Sequence, residues 1–198
     1  TVYGLPELNR SAYAADQRLV GNPGCFAMSC LMGLAPAVAA KLVTFDSLIC
    51  DCKTGVSGAG KKATPIHHFP ARYENMQAYR LSGHQHVMEV ERMLGAIAGE
   101  AVPVTFTAQV VPVCRGILST LYGTLRDGIH LADVQAAYQD YHRANSFVRL
   151  YDSKAAIGTA HVRGTNYCNL TIDVDERTRR LRVVAHIDNL MKGQPSNA

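Results

Sequence analysis

The stretch CNLTIDVDERTRRLRVVAHI, residues 168–187, alternates apolar and polar side chains on either side of Asp175-Glu176-Arg177-Thr178. A period of two predicts strands over residues 168–174 and 181–187 flanking that turn. A second dense region, residues 102–113 and 116–125, is rich in Val, Thr, Ile and Leu. It reads as two long strands joined by a tight turn at Cys114-Arg115. Strands that come in sequence-adjacent pairs, not one per helix, argue against strict βαβ alternation. The expected class is α+β, with a mixed, largely antiparallel sheet flanked by helices.

Outward from these pairs, apolar spacing predicts helices over residues 26–42, 85–97 and 131–144. The second places Val87, Val90, Met93, Leu94 and Ile97 on one face. Shorter strands are expected over 18–21, 47–53 and 76–81, and a short helix from Leu5 to about Ala15. Residues 54–62 are Gly/Ser-rich and are expected to be loop, because each Gly would cost a regular element about 1 kcal/mol.

With 198 residues, 47% of them hydrophobic, the chain can bury one substantial core and is expected to form one domain over residues 1–198. Its net charge of +4 is scattered; no basic run exceeds Lys61-Lys62 or Arg179-Arg180, so no nucleic-acid footprint is expected. Six cysteines, several inside apolar runs, suit a reducing, cytoplasmic setting better than a disulfide scaffold. The apolar-rich residues 25–43 are interrupted by Ser29, Gly33, Pro36 and Lys41 and do not read as a membrane span. No signal or lipidation motif is evident. A chain that begins at Thr1 is expected to be a processed or excised segment.

The chemistry centres on Asn22-Pro23-Gly24-Cys25, a turn directly ahead of the first long helix. Unpaired N–H groups and the positive end of a helix favour a thiolate there. From the residues alone Cys25 is either a nucleophile or an inert core thiol. A nucleophile needs an acid/base partner, and His84-Gln85-His86, at the start of the second helix, is the best supply; the alternative is a pair of exposed or capping histidines. Arg115 sits where a guanidinium clamps an anion, or is a plain turn residue. Residues 54–61 form either a nest for an anion or cofactor edge or an ordinary connection. Cys50 and Cys52 share one strand face without a CxxC partner, so no metal site is expected. No strand is followed by G-x-G-x-x-G, so no Rossmann fingerprint is present.

Tyr3-Gly4-Leu5-Pro6-Glu7-Leu8-Asn9-Arg10, Asn22-Pro23-Gly24-Cys25, Gly55-Val56-Ser57-Gly58-Ala59-Gly60, His84-x-His86, Arg115-Gly116, Gly164-Thr165-Asn166 and Ile187-Asp188-Asn189-Leu190-x-Lys192-Gly193 occur in this order along almost the whole chain. In that order they resemble the N-acetyl-γ-glutamyl-phosphate reductase family, itself similar to aspartate-semialdehyde and glyceraldehyde-3-phosphate dehydrogenases. The resemblance implies a catalytic and dimerisation domain, without the NADP-binding Rossmann domain and a final C-terminal helix that family members carry. It implies an acyl phosphate substrate, NADP as cofactor, and a homo-oligomer, dimer or tetramer, paired through its sheets.

By the same resemblance Cys25 forms a thioester, His84 transfers protons and His86 contacts substrate, the two roles being interchangeable at this level. Arg115, Ser57 and Gly58 bind substrate, and Gly58, Ala59, Gly60 and Asn189 touch the cofactor. The family's Tyr-Pro-Thr after the cysteine is Phe26-Ala27-Met28 here, its Thr-Pro-Glu after the histidines is Val87-Met88-Glu89, and its Pro-His is Ala108-Gln109, so the pocket wall differs. Carrier-linked aminoadipyl or glutamyl phosphate is the alternative substrate. A silent structural domain and a thiol hydrolase are the competing readings of other classes.

Overall fold

The computed structural model describes residues 2–194. Along the chain, β1 (Val2–Tyr3), α1 (Pro6–Asn9), β2 (Val20–Gly21) and α2 (Cys25–Ala39) lead to β3 (Leu48–Thr54), α3 (Phe69–Arg72) and β4 (Gln77–Tyr79). Then follow α4 (Gln85–Ala98), β5 (Val104–Val110), β6 (Ile117–Thr124), α5 (Leu131–His142), β7 (Val148–Tyr151), β8 (Cys168–Asp175) and β9 (Arg180–Ile187). Seven strands form one sheet in the order β4-β5-β3-β6-β9-β8-β7, while β1 and β2 pair in a separate parallel ribbon. Within the large sheet β3–β5 and β7–β8 are parallel and the other pairs antiparallel. The expected mixed, largely antiparallel α+β class is the one observed.

The predicted pair at 168–187 is an antiparallel hairpin, with Asn169 opposite His186 and Asp175 opposite Arg180. The other predicted pair is not. β3 lies between β5 and β6, running parallel to one and antiparallel to the other, so the expected tight turn at Cys114-Arg115 is a loop that passes over the end of β3. Leu48, Cys50 and Cys52 alternate as fully buried residues on β3, and that apolar row claims a central place beneath the helices. The edge strand β7 and the short helix α3 carry no pattern that the sequence reading picked up. Buried Arg72 of α3 ties residues 61–77 together, donating to the carbonyls of Ile66, Asn75 and Val110 and to the Gln77 side chain.

Every residue of α2 from Phe26 to Val38 is buried. It packs on β6, β8 and β9, with α4 and α5 beside it on the same face. Burying a large apolar side chain fully contributes about 1.5–3 kcal/mol, so this helix is the centre of the core. It ends three residues before the predicted Leu42, because Lys41 takes a left-handed φ of 52°. Lys41 N then donates to the Val38 carbonyl and Leu42 N to the Ala37 carbonyl, the paired bonds of a Schellman stop.

Pro36 lies inside α2 and has no N–H for the carbonyl four residues back, that of Met32. His142 of α5 supplies the replacement, its Nε2 donating to the Met32 carbonyl at 3.1 Å, while Tyr138 O–H donates to the Gly33 carbonyl at 2.5 Å. A buried carbonyl without a donor costs about 1–3 kcal/mol. His142→Ala is therefore expected to lower stability by about that amount, and by less in a Pro36→Ala background, where the helix regains its own donor. A urea-unfolding double-mutant cycle that finds no coupling between the two sites would contradict this account.

Candidate active site

Gly24 caps α2 in an extended conformation and Cys25 is its first helical residue. The backbone N–H groups of Phe26 and Cys25 itself reach the sulfur, as a helix start should provide. Burial nevertheless outweighs them and pushes the thiol up to about 11, with the nearby Glu89 carboxylate adding to the rise. Burial therefore opposes the ionisation that the helix start favours.

His84, in the last loop position before α4, and His86, in its first turn, are both buried. His84 caps α4, its Nδ1 accepting from the His86 N–H at 3.3 Å. That bond places the ring proton of neutral His84 on Nε2. The His86 ring lies against Gly24 so closely that a Cβ there would come within 2.1 Å of Nε2, and its buried Nδ1 has no hydrogen-bond partner among the described residues. The two rings are 4.9 Å apart and both meet Phe26 edge-on at about 6 Å. Burial, the neighbouring His86 and Arg80 lower His84 to about 4, and burial and Arg80 lower His86 to about 4. His84 caps α4 through Nδ1, which leaves its Nε2–H uncommitted, while the His86 ring is the one packed directly on Gly24, the residue before Cys25.

The C-terminal motif closes the other side of Cys25. A Cβ on Gly193 would stand 2.8 Å from Cys25 Cβ and 3.0 Å from the Asn189 carbonyl, so only Gly lets this turn approach the thiol. Asp188 builds the turn: its carboxylate accepts from Leu190 N, Met191 N and Gly164 N, and its carbonyl from Gly193 N. Arg115 Nε donates to that carboxylate at 2.8 Å. Burial pushes the Asp188 carboxyl up, but Arg115 and the N–H groups of Gly164 and Leu190 together hold it below the usual carboxylate range. Arg115 is thereby fixed at Nε, and its terminal amino groups make no hydrogen bond among the described residues. Lys192 reaches back to form a buried ion pair with Glu7 of α1.

The Gly-rich stretch is less loose than expected. Gly55, Val56 and Ser57 donate N–H bonds to the carbonyls of Gly116, Val113 and Cys114, and residues 56–59 form a 3-10 turn. Asn189, fully buried, accepts from Gly116 N through Oδ1 and donates to Ser57 Oγ through Nδ2. Each amide atom of Asn189 thus holds one neighbouring segment, Gly116 through Oδ1 and Ser57 through Nδ2. Gly58, Ala59 and Gly60 remain exposed beyond it. Among the described residues no strand–glycine–helix turn is shaped for the pyrophosphate of a dinucleotide.

No group of three or more His, Cys, Asp or Glu among the described residues is placed to hold a metal ion. Cys50 and Cys52 face the core, Cys52 Sγ lying 3.5 Å from Cys30 Sγ. No helix among the described residues is long and apolar enough to cross a membrane. Two participants escaped the sequence reading of roles, Glu89 and Asp188. Glu89 follows His86 by three positions on a predicted helix, a spacing that puts both on one face.

The family profile described as "Semialdehyde dehydrogenase, dimerisation domain" matches residues 25–189, from the thiol to the asparagine of the C-terminal turn. This chain belongs to that semialdehyde dehydrogenase dimerisation-domain family. Its relatives include N-acetyl-gamma-glutamyl-phosphate reductases of Bacillus cereus, 40% identical, and Geobacillus thermodenitrificans, 43% identical, each over 197 residues. Those alignments cover 100% of this chain and 57% of each relative, so the chain spans little more than half their length. Aspartate semialdehyde dehydrogenase II from Vibrio cholerae superposes with a TM-score of 0.75 at 18% identity, covering 99% of this chain and 65% of that one. The Francisella tularensis enzyme gives 0.73 at 14%, covering 97% and 67%. These two establish the shared fold of the semialdehyde dehydrogenase family.

Two outcomes follow from the site. Gly193→Ala is expected to destabilise by about 1–3 kcal/mol, read as a lower urea midpoint, because a methyl group is forced against Cys25 and the Asn189 backbone. The histidines predict the acid limb of stability. The folded chain keeps His84, His86 and His142 neutral down to about 4, whereas the unfolded chain takes up these protons near 6.5. Their contribution is therefore complete above about pH 6.5 and is lost as pH falls toward 4. Urea midpoints measured across that window should decline with falling pH, and by less in His142→Gln.

Proposed function

We propose that this chain is the catalytic and dimerisation domain, residues 1–198, of an NADP-dependent reductase that converts N-acetylglutamyl 5-phosphate to the 5-semialdehyde through a Cys25 thioester, a step of arginine biosynthesis in the cytoplasm. The observation that carries this reading is the convergence on Cys25 of three separated segments, His86 through Gly24, Gly193 with Asn189, and Arg115 through Asp188. The names of the reductases at 40–43% identity supply the substrate class. The dinucleotide is held mainly by a further domain, and a final C-terminal helix completes the enzyme.

His86 Nε2, on the side of the nucleophile turn, takes the thiol proton, which lets Cys25 ionise although burial opposes it. The thiolate attacks the acyl carbon; the bond between that carbon and the phosphate oxygen breaks, phosphate leaves with that oxygen and the acyl group stays on sulfur. Arg115, aligned by Asp188, pairs an anionic group of the substrate through its free terminal nitrogens, and Ser57 and Gly58 form the wall that Asn189 holds in place. NADPH, when bound along Gly58–Gly60, supplies the hydride. When sulfur is released it recovers the proton from His86. His84 holds the start of α4, and so His86, in register.

The same family points to a homo-oligomer, and the sheet face opposite the helices suits pairing. It carries the half-buried Leu118, Thr120, Tyr122 and Val184 beside the Asp51–Lys53 and Asp173–Arg182 ion pairs. The upward-shifted thiol favours a second reading, a silent structural domain. One assay separates them: the whole protein is given N-acetylglutamate semialdehyde, phosphate and NADP, with the aminoadipate and aspartate semialdehydes as competitors. Phosphate-dependent NADPH formation, fastest on the acetylglutamate compound and lost in Cys25→Ser, is expected. Absence of turnover with every aldehyde would leave the silent reading standing, and preference for the aminoadipyl compound would change the substrate.

A further inference from the structure

Glu89 is a charged group that the reaction above does not use, yet it touches the nucleophile turn. One carboxylate oxygen, Oε1, accepts two hydrogen bonds, from the Gly24 N–H at 2.9 Å and from the Tyr3 O–H at 2.7 Å. Gly24 is the cap of α2 and the residue immediately before Cys25. Glu89 and His86 are three positions apart on α4, so one helix face holds Gly24 twice, by the His86 ring on its α carbon and by Glu89 on its nitrogen. Tyr3, from the ribbon strand β1, completes the hold from a third element.

We propose that Glu89 is a positioning residue for the nucleophile, a clamp that fixes the Gly24 peptide and thereby sets Cys25 at its distance from His86. The clamp rests on Cys25 being the nucleophile. Its physical basis is the strength of charge-assisted bonds to a carboxylate, roughly twice that of neutral ones. Tyr3 keeps its proton, since burial, the hydrogen bond to Glu89 and the charge of Glu89 all push its ionisation up, so it remains a donor throughout the pH range of the enzyme. The titratable and charged groups that face Glu89 are Tyr3 from β1, Cys25 from α2 and, along α4, Arg92, which lines the same surface cleft of about 590 Å³ with Met88 and Val2.

The arrangement has a cost that serves as its signature. An anion at the α2 start opposes thiolate formation, so the clamp trades ease of ionisation for a fixed geometry and leaves Cys25 dependent on His86. Cys52 also raises Cys25, and Cys25 in turn raises Tyr79; neither touches Gly24.

The test uses the whole protein with Glu89→Gln, which keeps an acceptor for Gly24 while removing the charge, and Tyr3→Phe, which keeps the charge while removing its anchor. Cys25 alkylation by iodoacetamide is followed against pH by peptide mass, so that exposed Cys114 does not interfere. In Glu89→Gln the alkylation midpoint of Cys25 is expected to fall by about one pH unit, while kcat falls about tenfold with KM within twofold. In Tyr3→Phe the midpoint is expected to stay while kcat falls severalfold. A Cys25 alkylation profile that keeps both its wild-type midpoint and its wild-type plateau rate in Glu89→Gln and in Tyr3→Phe overturns the clamp, whatever turnover does. The two readings fail separately: a shifted profile in a protein that reduces no acyl phosphate keeps the clamp and removes the proposed reaction, and an unshifted profile in an active reductase does the opposite.

Discussion

A helix buried on every side has nowhere to move, and α2 is such a helix from Phe26 to Val38. Its position is set by apolar contact with the sheet below and with α4 and α5 beside it. Because α2 is fixed, its first residue is fixed as well, and Cys25 stands at a defined point at the upper end of the core. The motifs that converge there do so from elements that are themselves packed against α2 or paired with strands beneath it.

Burial that fixes the thiol also makes it a poor acid. The N–H groups at the helix start favour the thiolate, yet removing the sulfur from water costs more, and the Glu89 carboxylate adds to the cost. The same environment keeps His84 and His86 neutral well below their ordinary range. A neutral thiol beside a neutral imidazole is a pair in which the proton moves only when something else stabilises the charge that results.

Around this pair the polar groups divide into those that present themselves and those that hold others. Asp188 uses both oxygens on the C-terminal turn and on Arg115, and Asn189 uses both amide atoms on Gly116 and Ser57. Arg115 and the Ser57–Gly60 shoulder are what they orient. The buried Glu7–Lys192 pair plays the equivalent part farther out, joining the first motif of the chain to the last.

The strand hairpin at residues 168–187, the main helices, the α+β class and the Cys25 turn were all legible in the sequence, because each rests on local periodicity or on a short ordered motif. The position of β3 between β5 and β6 was not, since strand order depends on which apolar row finds the centre of the sheet and adjacent residues carry no trace of it. Nor was the placement of the two histidines: His84-x-His86 names two rings, but only the cap on α4 and the closeness of Gly24 tell them apart. The Pro36 gap in α2 is visible to any reader of the chain, whereas its repair by His142 needs a helix about a hundred residues away. Sequence alone determined that a thiol sits at a helix start among family motifs. Tertiary structure decided how deeply that thiol is buried, and so what opposes its ionisation, because desolvation depends on everything packed around an atom, which residues adjacent in the chain do not reveal.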